Sequence, residues 1–206
     1  MEDRQVKFLS FVFVLAFCAV ASLAQNSKPE VQAFGSPTPD ERGNTRVLYW
    51  HTVKNVPLGQ LAIDFGRPAW KKEYDAGLDL MTKGKTWRFG NNFWTSLDTA
   101  FPLKINGKDV APGFYYLGVS RSADGATWNL AFIDPVKARK AGLDAFAIDK
   151  APIDFSIPIQ FEKVTDSADK LTVVLVPAKD NIKNVTLKIN WGTVQLSAPV
   201  QVTVPM

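Results

Sequence analysis

The stretch VTLKINW at residues 185–191 alternates apolar and polar side chains along its whole length. A similar alternation recurs at residues 61–65 (LAIDF) and at residues 200–204 (VQVTV). Because successive side chains of a β-strand point to opposite faces, a period of two places one face on a core and the other in water. The sequence therefore predicts an all-β domain.

Turn signals separate further apolar segments. Asn106-Gly107 lies within residues 105–108 between two apolar segments, and both residues of such a pair tolerate the positive φ of a tight hairpin. Residues 122–125 (SADG) and 166–169 (DSAD) predict two more hairpins. Strands at this spacing, about eight or nine in all, predict a two-sheet antiparallel β-sandwich of the immunoglobulin-like or jelly-roll type.

One segment departs from the strand pattern. Asp134-Pro135 offers a capping residue and a proline suited to the first helical position. Good helix formers follow at residues 136–146 (VKARKAGLDAF), interrupted by Gly142. We therefore expect one short helix beside the strands.

The amino-terminal residues have the pattern of an export signal. Residues 8–23 carry no charge, and Ser22-Leu23-Ala24 places small residues at the positions that signal peptidase requires. We predict a signal peptide at residues 1–24, a flexible spacer at 25–43 and one β-sandwich domain at 44–206. The expected location is the periplasm or the cell exterior, with membrane contact only through the leader if it is not cleaved.

The residue inventory narrows the possible chemistry. Cys18 is the only cysteine and lies in the leader, while His51 is the only histidine, so neither a metal nor a cofactor is expected. His51 itself is predicted to be a half-buried, hydrogen-bonded strand residue. Residues 84–86 (GKT) lack the glycine spacing of a phosphate loop, and residues 118–122 (GVSRS) lack the last glycine of a nucleophile elbow. We expect no nucleotide ligand.

The charge of the chain gives no sign of a nucleic-acid partner. The formal net charge is +4, but the lysines are scattered along the chain and form no basic run. Nucleic-acid binding domains concentrate their positive charge in a patch or stripe. We therefore predict a soluble surface and no nucleic-acid binding.

Three segments in fixed order resemble a known family. A strand ends in Arg67-Pro68, residues 84–92 read GKTWRFGNN, and the Asn-Gly hairpin leads to APGFY at residues 111–115. This order resembles the bacterial family called domain of unknown function 2911, and the resemblance extends more loosely through residues 128–204. It implies an exported bacterial domain without an established activity, so it supports the location and the fold and leaves the function open.

Five side chains near this motif form the candidate ligand-binding set. Arg67, Trp87, Arg88, Asn91 and Asn92 lie in segments that flank a predicted strand. Arginine presents a planar array of donors, asparagine offers both a donor and an acceptor, and the indole offers a flat apolar wall. These side chains suit a saccharide or a peptide. In the other interpretation, one arginine pairs with a carboxylate and the asparagines close turns.

Two functions remain open from the sequence. The first is a non-catalytic binding or structural module of the bacterial envelope, with a saccharide or peptide as the ligand. The alternative is an envelope hydrolase in which Asp64 and Asp98 act as the acid and the base.

Overall fold

The computed structural model describes residues 41–205. The predicted leader and most of the predicted spacer lie outside the described residues. Inside the spacer's predicted range, Arg42 and Gly43 already belong to the first strand. The helices are α1 (Glu73–Thr82), α2 (Pro135–Lys140) and a 3₁₀ helix (Ala145–Lys150). The strands are β1 (Arg42–His51), β2 (Val56–Gly66), β3 (Thr86–Trp87), β4 (Thr95–Thr99), β5 (Leu103–Ile105), β6 (Lys108–Val110), β7 (Gly113–Arg121), β8 (Trp128–Ile133), β9 (Ile153–Pro177) and β10 (Asn184–Val202).

The ten strands form one hydrogen-bonded path. Its order is β1-β2-β4-β7-β8-β9-β10-β5-β6, with β3 paired to β7, and every pair is antiparallel. The first part of β9 pairs with β8 and its remainder pairs with β10. The all-β antiparallel class is therefore confirmed. The division into two separate sheets is not confirmed, because β9 continues from one half of the path into the other.

A single cluster of buried side chains forms the main core. It takes members from both halves of the path, among them Ile63 of β2, Phe132 of β8 and Leu187 of β10. The backbone N–H of Leu175 in β9 donates to Oγ1 of Thr45 in β1 at 3.2 Å, which brings the beginning of the path close to β9. The two halves therefore share one core.

Two of the three predicted hairpins are confirmed. Asn106 and Gly107 have φ values of 43° and 82° and join β5 to β6. The turn at residues 122–125 joins β7 to β8. The third prediction is wrong, because residues 166–169 lie inside β9. The chain there leaves the ladder and returns to it, so the turn residues produce a bulge and the strand continues.

The predicted helix is confirmed, and a second helix was not predicted. Oδ1 of Asp134 accepts hydrogen bonds from the backbone N–H groups of Val136 at 2.7 Å and Lys137 at 3.4 Å, and Pro135 opens α2. Gly142 has a φ of 65° and follows the end of α2. The unpredicted helix is α1, which has no buried residue.

No helix within residues 41–205 is long and apolar enough to cross a membrane.

Candidate functional site

An apolar cavity of about 130 Å³ lies between α1 and the strands. Trp87 of β3, Trp128 of β8 and Trp191 of β10 form its aromatic walls. One polar side chain, Thr82, lies among the other lining residues. The remaining lining side chains are Leu78, Met81, Ile189, Val194 and Leu196. A lining of this kind favours a small apolar occupant.

Trp191 is the centre of an aromatic cluster that holds this wall in place. Its ring is stacked on Trp87 at a centroid distance of 4.9 Å and meets Trp70 edge-on at 4.8 Å. Tyr74 of α1 contacts the same ring at 5.3 Å. The indole N–H of Trp191 donates to the carbonyl of Pro68 at 3.0 Å. These contacts fix the orientation of the Trp191 ring. Aromatic pairs also contribute stabilisation beyond that of the surface they bury.

Polar side-chain contacts fasten α1 over the cavity. Oγ1 of Thr193 donates to Oδ1 of Asp75 at 2.8 Å near the start of the helix. Near its end, Nη1 of Arg121 lies 2.7 Å from Oδ1 of Asp79 and 3.0 Å from Oγ1 of Thr82. None of the residues of α1 is buried. The helix is therefore held by these polar contacts together with the partly buried side chains of Tyr74 and Leu78, which pack on Trp191 and on the core.

Arg121 joins α1 to the cavity wall. Its Nε donates to the carbonyl of Gly125 at 2.8 Å, and its guanidinium lies 4.9 Å from the centre of the Trp128 ring. Hydrogen bonds from Lys83 and from Arg121 hold the pKa of Asp79 below the usual range for an aspartate. Ionised Asp79 therefore helps to hold α1 against Arg121.

Replacing Asp79 by asparagine is expected to lower the melting temperature near neutral pH and to have almost no effect in strong acid. Because the pKa of Asp79 is lower in the folded state, its contribution is present above the ordinary aspartate value and is lost as the pH falls through the folded pKa. Thermal melts of wild type and Asp79→Asn at about pH 7 and about pH 2 measure the difference on each side of the ordinary aspartate value of about 3.9.

The matched control for that experiment is Asp180→Asn, which changes an exposed aspartate between β9 and β10. It is expected to leave the melting temperature nearly unchanged. If the melting temperatures of wild type and Asp79→Asn differ by the same amount at both pH values, the role given to Asp79 is contradicted.

Arg67 of the predicted set lies beside the start of β1. Its Nη1 is 3.7 Å from Oε1 of Glu41, and its Nε is 3.4 Å from the carbonyl of Leu171. Glu41 also accepts from Nζ of Lys170 at 2.7 Å, and this hydrogen bond lowers the pKa of the Glu41 carboxyl. Arg67, directly after β2, therefore links the end of β2 to β9, and its side chain remains partly exposed.

Arg88 contacts a different part of the domain. Its Nη1 donates to the carbonyl of Ala145 at 3.1 Å, and its guanidinium lies 4.1 Å from the centre of the Phe146 ring. Burial lowers the pKa of Arg88, and the charge of Asp144 opposes that effect. Within residues 41–205, Arg67 and Arg88 have no hydrogen-bond or ion-pair partner in common. Their convergence in one ligand pocket stays a prediction.

The other three predicted residues have separate environments. Trp87 lines the apolar cavity, as described above. Asn91 lies so close to Gly66 that a Cβ on the glycine would be 2.2 Å from the Asn91 carbonyl oxygen, and its side-chain Oδ1 is buried without a hydrogen-bond partner. Asn92 is exposed and has a φ of 65°. Of the predicted set, only Trp87 belongs to the apolar cavity.

The two predicted acid–base residues lie on adjacent strands. Asp64 of β2 is paired with Ser96 of β4, and Asp98 lies two positions further along β4, so both carboxylates project from one face. Arg42 forms an ion pair with Asp64, and Nε2 of Gln60 lies 3.4 Å from Oδ2 of Asp98. The ion pair occupies the Asp64 carboxylate, and the general acid–base roles of the two residues stay a prediction.

His51 is half-buried at the end of β1, and its Nδ1 accepts from the backbone N–H of Lys54 at 3.2 Å, as predicted for a structural residue. Within the described part of the chain, no group of three or more His, Cys, Asp or Glu side chains is placed to hold a metal ion.

The family described as Protein of unknown function (DUF2911) matches residues 50–200. The chain belongs to the DUF2911 family. The predicted family is thereby confirmed, and every side chain that lines the apolar cavity lies inside the region that matches DUF2911. No curated protein and no solved structure matches the chain.

The sequence prediction missed most of the cavity. Leu78, Met81 and Thr82 recur at intervals of three and four residues, which is the spacing of one helix face and could have indicated α1. Acidic residues at Glu73 and Asp75, in the first turn, add to that signal. The cavity residues of β8 and β10 could not be recognised from the sequence, because these strands alternate in the same way as any strand that faces a core.

Proposed function

We propose that this domain is a non-catalytic binding module whose ligand is a small apolar or aromatic molecule held under α1. The observation that carries the proposal is the apolar cavity of about 130 Å³ with three tryptophan rings in its wall. A cavity of similar size that is lined only by apolar groups binds benzene in another protein. The location that we propose for this activity is outside the cytoplasm, on the strength of the predicted signal peptide.

The chemistry of the lining favours an apolar ligand over a saccharide at this position. A saccharide needs several donors and acceptors, and burying its hydroxyl groups without them costs free energy. Thr82 is the one lining side chain with a hydroxyl, and that hydroxyl already donates to the carbonyl of Leu78 at 2.6 Å. An aromatic ligand would instead gain ring contacts with Trp87, Trp128 and Trp191.

The full chain is expected to bind 4-fluorotoluene, which can be followed by ligand-observed fluorine NMR. The variant Val194→Phe fills the cavity from β10 and is expected to weaken binding at least tenfold. Met81→Phe fills the cavity from α1 and replaces Val194→Phe in the binding test if Val194→Phe does not fold. Val176→Phe is the matched control, because Val176 is 46% exposed and lies outside the cavity.

Two results would contradict the proposal. One is the absence of 4-fluorotoluene binding to the wild-type chain at its solubility limit. The other is equal binding by wild type and by a folded cavity-filling variant, because the probe would then bind elsewhere.

A further inference from the structure

A large bulge interrupts the pairing of β9 with β10. Ten residues of β9, 163–172, stand opposite five residues of β10, 190–194. Lys163 is paired with Val194 and Ala168 with Gly192, but residues 164–167 have no partner in this register. Bulges of one extra residue are common, and larger ones are special features that redirect side chains.

Both ends of this bulge are held in place. Its first end is fixed by the pairing of Lys163 with Val194. Beyond its second end, the backbone N–H of Trp70 donates to the carbonyl of Asp169 at 2.7 Å, and that of Leu171 donates to the carbonyl of Pro68 at 3.0 Å. The bulge is therefore held at both ends, by β10 at the first end and by the segment before α1 at the second.

A polar concavity of about 600 Å³ lies against the bulge. This volume falls within the range of roughly 300–1,000 Å³ that is usual for small-molecule sites. Hydroxyl, carboxylate and amide groups line it: Glu162, Thr165, Asp166, Ser167, Thr172, Asn190 and Gln195. Two of these already donate within the protein, Thr172 to the carbonyl of Lys170 at 3.2 Å and Gln195 to Glu162 at 3.0 Å. Within residues 41–205, the side chains of Asp166, Ser167 and Asn190 form no hydrogen bond with the protein.

The concavity differs in chemistry from the cavity under α1 although both use β10. Asn190 and Gln195 line the concavity, while their neighbours Ile189, Val194 and Leu196 line the apolar cavity. Adjacent residues of a strand face opposite sides, so the two sites are on opposite faces of β10. Neither site depends on the other.

We infer that the concavity at the β9 bulge binds a neutral saccharide. Each hydroxyl of a sugar both donates and accepts a hydrogen bond, and the mixture of amides, hydroxyls and carboxylates on this wall satisfies both requirements. An anionic ligand is disfavoured, because Glu162 and Asp166 outnumber Lys163. This site goes beyond the proposed function, which concerns an apolar ligand on the other face of β10.

The test uses the full chain and four named sugars: glucose, galactose, N-acetylglucosamine and cellobiose. Saturation-transfer NMR detects weak binding, and we expect signals from at least one of them with millimolar affinity. The double variant Asp166→Ala/Asn190→Ala is expected to remove those signals. Since Asn190 is half-buried, the single variant Asp166→Ala at an exposed position is measured as well, with an expected weakening of at least threefold.

The matched control is Asp180→Ala/Asn181→Ala in the exposed turn between β9 and β10, which should keep the sugar signals. Thermal melting confirms that each variant is folded. No signal from any of the four sugars at 10 mM, or signals that persist in folded Asp166→Ala at full strength, would overturn the inference. A polar tripeptide of alanine and serine that binds in place of the sugars would overturn it too. Binding of 4-fluorotoluene is measured on the same samples, so failure of one site is distinguished from failure of the other.

Discussion

Replacing Phe132 by alanine is expected to lower the free energy of unfolding by about 3–5 kcal/mol, which is the usual cost of truncating a buried phenylalanine. Phe132 has no exposed surface and lies in the core shared by both halves of the strand path. Its ring is stacked on Phe155 of β9 at 4.5 Å and meets Tyr115 of β7 edge-on at 5.6 Å. The truncation would remove contacts to both neighbouring strands and leave a cavity.

Chemical denaturation followed by circular dichroism measures this change. The matched control is Phe146→Ala, since Phe146 is 69% exposed and its ring contacts the guanidinium of Arg88. An exposed cation–π contact contributes about 0.5–1 kcal/mol. Equal losses in the two variants would show that Phe132 does not have the role in the core that its burial indicates.

Replacing Gly192 by alanine is expected to destabilise the domain by about 2–5 kcal/mol, from left-handed strain and overpacking together. Gly192 has a φ of 57°, and a Cβ at this position would lie 2.0 Å from Cδ2 of Trp70. Trp70 is confined by Trp191 and Tyr74, so its ring cannot move away freely. The variant should also weaken binding of 4-fluorotoluene, because Trp191 lines the cavity.

Gly142→Ala is the matched control for Gly192→Ala. Gly142 has a φ of 65°, and no atom lies within 4 Å of the position that a Cβ would occupy. Gly142→Ala is therefore expected to lower the free energy of unfolding only by the cost of the left-handed backbone conformation, about 1–2 kcal/mol. If thermal and chemical denaturation show the same loss of stability in both variants, the close approach of Trp70 to Gly192 is not the cause of the destabilisation in Gly192→Ala.

Local sequence patterns predicted the all-β class, because strand alternation, tight turns and helix starts each depend on residues that are close together in the sequence. Alternation identified β2 and β10, the Asn-Gly pair identified the turn between β5 and β6, and the Asp-Pro pair identified the start of α2. The helix α1 was missed, since a helix without buried residues lacks a broad apolar stripe. Whether strands form one path or two is decided by long-range pairing, which local patterns do not contain.

The error at residues 166–169 has a specific cause. Asp166-Ser167-Ala168-Asp169 favours a chain reversal in isolation. Residues 172–177 then pair with β10 in the same direction as residues 160–163, so the strand resumes after the bulge. Pairing with one long partner outweighs the local preference, and the turn residues are placed in a bulge.

The candidate site was predictable only in part. Trp87 was predicted and lines the apolar cavity, but Trp128 and Trp191 come from distant parts of the chain. The guanidinium groups of Arg67 and Arg88 are engaged by carbonyl groups of β9 and of the 3₁₀ helix, respectively. These partners lie 104 and 57 residues away in the sequence, so local reasoning could not have identified them.

The sharing of β9 between β8 and β10 has a consequence for the way the domain opens. Because β9 pairs with β8 over its first part and with β10 on both sides of its bulge, neither half can melt alone without exposing unpaired backbone groups of the other. We therefore expect the central strands to unfold as one cooperative unit, whose amides exchange with solvent through global unfolding. The helix α1 has no buried residue, so we expect it to open at a lower free-energy cost than the strands. A ligand could thus enter and leave beneath α1 while the tryptophan walls remain folded.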